Sequence, residues 1–324
     1  MCADPEVLEG DIMTFIASVK ARNGVAIIAD SLVTTSIPVL TLSKFRMYLR
    51  KSKIESIEAS AIEELFESQA HHTNDYEEKL VQFDDYTAVT TAGSARIGDQ
   101  RISEVISSFT RSMASKDDFG SWTLNRRVDE FCKHLKRTIR SNNHSTPLST
   151  SFVFTNFNPK TERTTILEID TFATRHGEKH KIQCERKVYP HEMKLVMNGQ
   201  NGISSTLLYG CAMKAQYLQN IFIDKFIEEA HVRISDKRKR DVMKSLNDRI
   251  FRNHPELLDE LQAAKLRELS IQEAVNLAYL LLKVEMDFQK YTQDIPTIGG
   301  VIKIATIDAS GYNAINGNQT ISPV

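Results

Sequence analysis

The sequence predicts an α+β fold in which groups of helices cover packed sheets, and three observations carry that expectation. Strand-like segments come in blocks, near 14–29, 79–93, 149–170 and 301–308. Helical patterns between the blocks come in groups rather than singly, which disfavours a doubly wound parallel sheet. The first block also contains VAIIA at 25–29, a wholly apolar run of the kind a buried strand carries.

The elements follow in order. In TFIASVK (14–20), Phe15, Ala17 and Val19 fall on one side of a strand, and Asn23–Gly24 supplies a turn into the apolar run. Residues 35–78 change character. SKIESIEASAIEELFESQ places Ile54, Ile57, Ala61 and Leu65 at helical spacing, and the HHTNDYEE flank is polar, so this region reads as an insertion containing an amphipathic helix. KLVQF and YTAVTTAG (79–83 and 86–93) return to strand character and end in the small-residue turn Gly93–Ser94–Ala95. Helices are expected near 99–115 and 122–141, the second with Leu124, Val128, Phe131, Leu135 and Ile139 on one stripe. STSFVFTNF and RTTILEID form a second strand–turn–strand unit, and the less regular stretch 171–198 adds another strand or two. Residues 203–291 are mostly helical: a first helix over about 203–223, a charged part over 228–268, and a last helix beginning at Ser270 with Glu273 at capping-box spacing. A final strand, VIKIATID, follows Gly299–Gly300.

Bulk properties narrow the function classes. Of 324 residues, 41% are apolar and 26% charged, which is ordinary for a soluble globular chain. A net charge of −1 gives no global argument for nucleic acid or an anionic membrane, and no apolar run has transmembrane length. The acidic, polar start MCADPEVLEGDIM does not fit a secretory signal or presequence. Cys2, Cys132, Cys184 and Cys211 are scattered without a CxxC pair, so reduced thiols and a cytoplasmic location are expected. HGEKH sets His176 and His180 four apart, but Gly177 and the strand pattern argue against a helical metal pair, and no metal site is expected. DKRKRD (236–241) reads as a solvated helix face and the aromatic residues as core.

Thr14 holds the chemical interest. A threonine at a strand start is ordinarily a strand residue. Its hydroxyl becomes a useful nucleophile when a base lies beside it, and if the chain begins at that threonine its own α-amine, with a pKa of about 8, can be the base. Such a site needs a cation to keep the amine neutral, a carboxylate to hold the cation, and a backbone N–H for the oxyanion.

With those residues in view, the segment resembles the N-terminus of a proteasome β-type subunit or bacterial proteasome homologue, in the N-terminal-nucleophile hydrolase superfamily. That pattern is a threonine start, a strand, a tight turn, and a second strand ending in aspartate sixteen positions on; Thr14 and Asp30 stand sixteen apart. The family's lysine begins a strand that reaches the oxyanion glycine fourteen residues later, as Lys79 and Gly93 do in KLVQFDDYTAVTTAG. Lys44 is nearer to Thr14 in sequence, but the position fourteen after it is Glu58, so Lys79 is preferred. By resemblance, Gly93 supplies the oxyanion N–H, Thr34 and Ala95 lie along the substrate backbone, and Thr91 faces the specificity pocket. DIPTIGG echoes the family's Asp-x-x-Ser-Gly-Gly with Asp294, Thr297, Gly299 and Gly300, with threonine for serine and one residue inserted. Where Gly-Ser is expected, Gln200 follows Gly199, which leaves Ser204 or Ser205 as the accessory serine, and Leu32 stands where arginine is common.

The resemblance covers 14–34, 79–200 and 270–309, with insertions at 35–78 and about 220–269. It implies a four-layer αββα sandwich with helical insertions, formed by a single domain over 14–324 preceded by a propeptide or upstream extension, residues 1–13. It further implies threonine-type hydrolysis of peptide bonds without a cofactor, a polypeptide substrate, and a homo-oligomeric ring around a closed chamber, with room for an unfoldase partner. Thr14 must become terminal. Autocatalytic cleavage after Met13 is one route; translation from Met13, with removal of that methionine, is the preferred one, because glycine usually stands at that place. Two alternatives stay open: an amidase or peptide ligase of the same fold working outside a ring, and a non-catalytic ring or binding subunit that keeps its N-terminus.

Overall fold

The computed structural model describes residues 14–51, 66–114, 116, 119–141, 148–176, 179–209, 268–292 and 296–315, with scattered positions between 221 and 266. The chain is mixed α+β, with antiparallel sheets. It begins with β1 (Phe15–Lys20), β2 (Gly24–Ala29), β3 (Leu32–Leu40), α1 (Leu42–Lys51) and β4 (Phe66–Tyr76). Next come β5 (Leu80–Asp84), β6 (Thr87–Gly93), the short β7 (Arg96–Ile97) and β8 (Gln100–Arg101), then α2 (Ile102–Ala114) and α3 (Leu124–Ser141). β9 (Leu148–Asn158), β10 (Arg163–His176), β11 (Lys179–Val188) and β12 (Leu195–Gly199) precede α4 (Gly202–Tyr209), α5 (Ile271–Thr292), β13 (Lys303–Asp308) and β14 (Gly311–Ile315).

Two five-stranded sheets dominate. The first has the order β12-β1-β2-β13-β14 and the second β11-β10-β9-β6-β5. Alternation along the strands sends successive side chains to opposite faces, and the buried residues sort accordingly. Ile16, Val25, Ile27 and Ile307 of the first sheet share one cluster with Leu80, Ala88, Val153 and Phe157 of the second. The other face of the first sheet, with Phe15, Ala17, Val19 and Ile28, packs on Ala274, Val275, Ala278 and Leu281 of α5. The other face of the second sheet carries Phe83, Phe152, Phe154 and Leu167 against Ile106 and Phe109 of α2 and Val128, Phe131 and Leu135 of α3. VAIIA is completely buried, with both of its faces covered. α5 starts with the capping box: Ser270 N donates to Glu273 Oε2 at 2.7 Å and Glu273 N to Ser270 Oγ at 3.3 Å.

Several expectations change. The helix proposed over 52–69 lies mostly outside the described residues, but its end, Phe66–Gln69, belongs to β4, which pairs with β3 from Leu40↔Phe66 onward. A backbone ladder needs no apolar side chains, so the polar HHTNDY run also joins it, and pairing with a neighbour overrides the local helical spacing. The helix expected over 203–223 is seen as α4, with 210–220 outside the described residues. Gly24 is the first residue of β2 and has no positive φ. Its lack of a side chain serves packing instead, because a Cβ there would meet Ile307 O and Ile271 Cδ1, each at 2.7 Å. The short β7–β8 pair and β14 had no clear sequence signal. His176 and His180 sit on adjacent strands, opposite Lys179 and Arg175. No group of three or more His, Cys, Asp or Glu among the described residues could hold a metal ion, and no described helix is long and apolar enough to cross a membrane.

Candidate active site

The first hairpin makes half of the site. Thr14 directly precedes β1 and Asp30 directly follows β2, and antiparallel pairing in the register Ile16↔Ala29 brings the two ends together. Phe15 N donates to Asp30 Oδ1 at 3.1 Å, and Asp30 N returns a bond to Phe15 O at 3.2 Å. Gly299 N, arriving just before β13, donates to Asp30 Oδ2 at 3.2 Å.

The other half comes from the second sheet. Lys79, immediately before β5, directs Nζ at Thr14 Oγ1 (3.0 Å), Asp30 Oδ1 (2.9 Å) and Leu32 O (2.6 Å). Thr14, Asp30 and Lys79 retain only 1%, 0% and 5% of their exposure, so this is an ion pair and a hydroxyl held almost without water. Burial pushes the Asp30 carboxyl above its ordinary value and the Lys79 ammonium below its own; attraction between the two charges opposes both shifts. The backbone donors Phe15 and Gly299 also favour the Asp30 carboxylate.

β6 runs beside Lys79. Thr91 N donates to Lys79 O at 2.9 Å, and Thr91 is buried. Two residues on, Gly93 has φ +110°, and a Cβ would fall 2.3 Å from Ser149 O. Both the left-handed backbone and the close approach of β9 require glycine there. Ser94 then fastens the turn, with Ser94 N donating to Ser149 O at 2.8 Å. Ala95 is half-buried, and its carbonyl accepts from Ile102 N at the start of α2.

A further network holds the backbone of Thr14. Gln200 N donates to Thr14 O at 2.7 Å. The preceding Gly199 has φ +84°, and a Cβ would stand 1.9 Å from that same carbonyl oxygen. The Gln200 side-chain oxygen accepts from Thr297 Oγ1 and from Gln289 Nε2, the latter at 2.9 Å. Gln289 Oε1 accepts from Thr297 N (2.9 Å) and Ile298 N (3.0 Å). Thr297 is therefore joined to Thr14 through Gln200.

Ser204 is placed differently. Its hydroxyl donates to Leu281 O at 3.0 Å and its N–H to Glu285 Oε1 at 2.7 Å, so it fastens α4 to α5. Ser205 Oγ bonds Asn201 Oδ1 at 3.2 Å. Thr34 lies in the β3–β4 ladder opposite His72, just after a register irregularity. Asp294 and residues 1–13, including Met13, lie outside the described residues. The resemblance singles out Asp30, Lys79 and Gly93; the structure puts Lys79 Nζ on Thr14 Oγ1 and Asp30 Oδ1, and shows Gly93 in a turn on the strand beside Lys79. Gln200 as a side chain, Gln289, the Leu32 carbonyl and the Gly299 N–H were not legible in the sequence. The DIPTIGG segment, with Asp294, Thr297, Gly299 and Gly300, marked that part of the chain for attention, but a glutamine late in a helix carries no distinguishing pattern.

The arrangement can polarise a hydroxyl. A lysine that donates to Thr14 Oγ1 favours development of negative charge on that oxygen, and Asp30 fixes the lysine's direction. No protein-family model matches this chain, and no curated protein matches it in sequence.

Proposed function

We propose that the chain is a threonine-type N-terminal-nucleophile hydrolase of peptide bonds, built as a four-layer αββα sandwich like a proteasome β-type subunit. The observation that carries the proposal is the position of Lys79 Nζ, 3.0 Å from Thr14 Oγ1 and 2.9 Å from Asp30 Oδ1 in a buried site. The architecture is supported by the three apolar clusters: helix against sheet, sheet against sheet, and sheet against helices.

Once the Met13–Thr14 bond is gone, the Thr14 α-amine is free to accept the hydroxyl proton, directly or through water. The Lys79 charge disfavours a second cation beside it and so keeps the amine neutral. Oγ1 attacks the substrate carbonyl, and the Gly93 N–H supports the tetrahedral oxyanion. Collapse releases the amine product and leaves an ester on Thr14; water, deprotonated by the same amine, hydrolyses the ester.

Intact-mass spectrometry of the purified protein tests the first requirement: a mature chain that starts at Thr14 is expected, and one that retains residues 1–13 removes the base. Thr14→Ala should then abolish peptide hydrolysis and covalent labelling by an electrophilic peptide probe, with the circular dichroism spectrum unchanged. Light scattering tests the homo-oligomeric ring. A monomer that still hydrolyses amides would redirect the proposal to an amidase or peptide ligase with an open site.

A further inference from the structure

On the helix-covered face of the second sheet, two cysteines from distant parts of the sequence meet. Along α3, Asp129, Cys132 and Lys136 follow one stripe beside the core stripe of Val128, Phe131 and Leu135. Along β11, Ile182, Cys184 and Arg186 share one face, because side chains alternate. Ile182 and both cysteines pack against the apolar cluster under α3. Arg186 Nη2 bonds Asp129 Oδ1 at 2.5 Å across this contact. From that anchor, Cys132 is one turn onward along the helix and Cys184 is two residues back along the strand. The two thiols thus lie on the same patch of that cluster, and each is the first influence on the other's titration. Thr171, opposite Cys184 on β10, donates its hydroxyl to Cys184 Sγ at 3.9 Å. Both cysteines are free thiols and only partly buried, so a small reagent can reach them.

We propose that Cys132 and Cys184 form a reversible dithiol–disulfide site that is oxidised by small hydroperoxides, with Cys184 as the attacking sulfur and Cys132 as the resolving thiol. The division of roles follows from the surroundings. The neighbouring Cys132 draws the Cys184 thiol below its ordinary value against the effect of burial, and the Thr171 hydroxyl, which donates to Cys184 Sγ, and Lys136 act in the same direction as Cys132. The Cys184 neighbour and burial push the Cys132 thiol up, and among the described residues no hydroxyl donates to it as Thr171 does to Cys184. The Cys184 thiolate attacks the peroxide O–O bond, forming S–OH and releasing an alkoxide or hydroxide that takes a proton from water. Cys132 sulfur then displaces the hydroxyl from Cys184; its proton leaves with that hydroxyl as water, and an S–S bond forms. Two electrons pass from the thiols to the peroxide. The bridge ties α3 to β11, the strand at one end of the second sheet, and a thiol reductant reverses it.

The test uses the full chain with Cys2→Ser and Cys211→Ser, which leaves only this pair of the four cysteines. After hydrogen peroxide treatment and alkylation, the expected intact mass is lower by two hydrogens, with neither thiol alkylated. Peptide mapping should find the segments carrying residues 132 and 184 joined, and dithiothreitol should separate them. Adding Cys132→Ser should arrest Cys184 at a sulfenic acid trapped by dimedone. Two results overturn the proposal: both thiols remaining alkylatable after peroxide, or Cys184 advancing to sulfinic acid while Cys132 stays alkylatable. Both are read on the protein that keeps the native pair, so poor folding of the serine variant would not obscure them.

Discussion

Lys79 satisfies three acceptors with one ammonium group, and Asp30, the partner that carries opposite charge, has no exposed surface. Removing the lysine leaves a buried carboxylate without its cation. Lys79→Met should therefore cost roughly 3–5 kcal/mol in denaturant unfolding. The double variant Asp30→Asn/Lys79→Met should recover much of that stability but none of the hydrolysis. Recovery of activity with stability would reduce Lys79 to a structural role. Lys20 allows a pH test remote from this site. Its ammonium reaches the Pro190 and His191 carbonyls, at 3.3 and 3.4 Å, and burial, then Lys194, lowers it from the ordinary 10.5 to about 8, against the pull of Glu192. Between those two pH values the unfolded chain binds a proton that the folded chain has released, so this group makes stability rise with pH across that window. Subtracting the unfolding free energies of Lys20→Met from those of the wild-type chain at several pH values should isolate the rise; a flat difference would contradict it.

At the scale of elements, the capping box and the hairpin both have local tests. Ser270→Ala should lower the stability of the chain by about 1 kcal/mol, read as a shift in urea midpoint, because Glu273 N loses its side-chain acceptor at the start of α5. Gly24→Ala should cost roughly 1–3 kcal/mol, since the methyl group would meet the Ile307 carbonyl in the adjacent strand rather than a side chain free to turn aside. A neutral result would mean that β13 moves away easily, which its ladder with β2 opposes. These cases also mark what was readable locally. The Ser270–Glu273 spacing states its own hydrogen bonds, whereas Asn23–Gly24 suggested a turn at a place where glycine serves strand-to-strand and strand-to-helix packing. β4 escaped notice for a related reason: its pairing with β3 lies in the backbone, and its side chains imitate a polar loop.

The whole molecule depends on the contact between the two sheets, which also carries Lys79 to Thr14. Most of that contact is apolar, but Ser18 Oγ and Thr155 Oγ1 bond across it at 2.8 Å with both residues buried. Ser18→Ala should cost about 1–3 kcal/mol by leaving a buried hydroxyl without its partner, and Ser18→Ala/Thr155→Val should cost less than the two single changes together. Additive effects would mean that the pair does not couple the sheets. Glu168 on β10 joins the same contact by accepting from Asn198 on β12, whose own oxygen receives Gly199 N at 2.6 Å. The sheet contact thus reaches the glycine that lies against the Thr14 carbonyl.

What the sequence by itself determined is what depends on short separations along the chain. The alternation of β1, the buried run of β2 and the stripe of α3 are set by the fixed periods of strand and helix, and the intervals from Thr14 to Asp30 and from Lys79 to Gly93 stood out through the family they resemble. Only the tertiary structure decided which distant groups share a hydrogen bond. Gln200, Gln289 and Thr297 meet because the ends of β12 and α5 converge beside Thr14, and Cys132 meets Cys184 because α3 lies on β11. No period links such residues. Their contacts come from sheets and helices burying their apolar faces, and that packing carries the polar groups on their edges to whatever partners the geometry supplies.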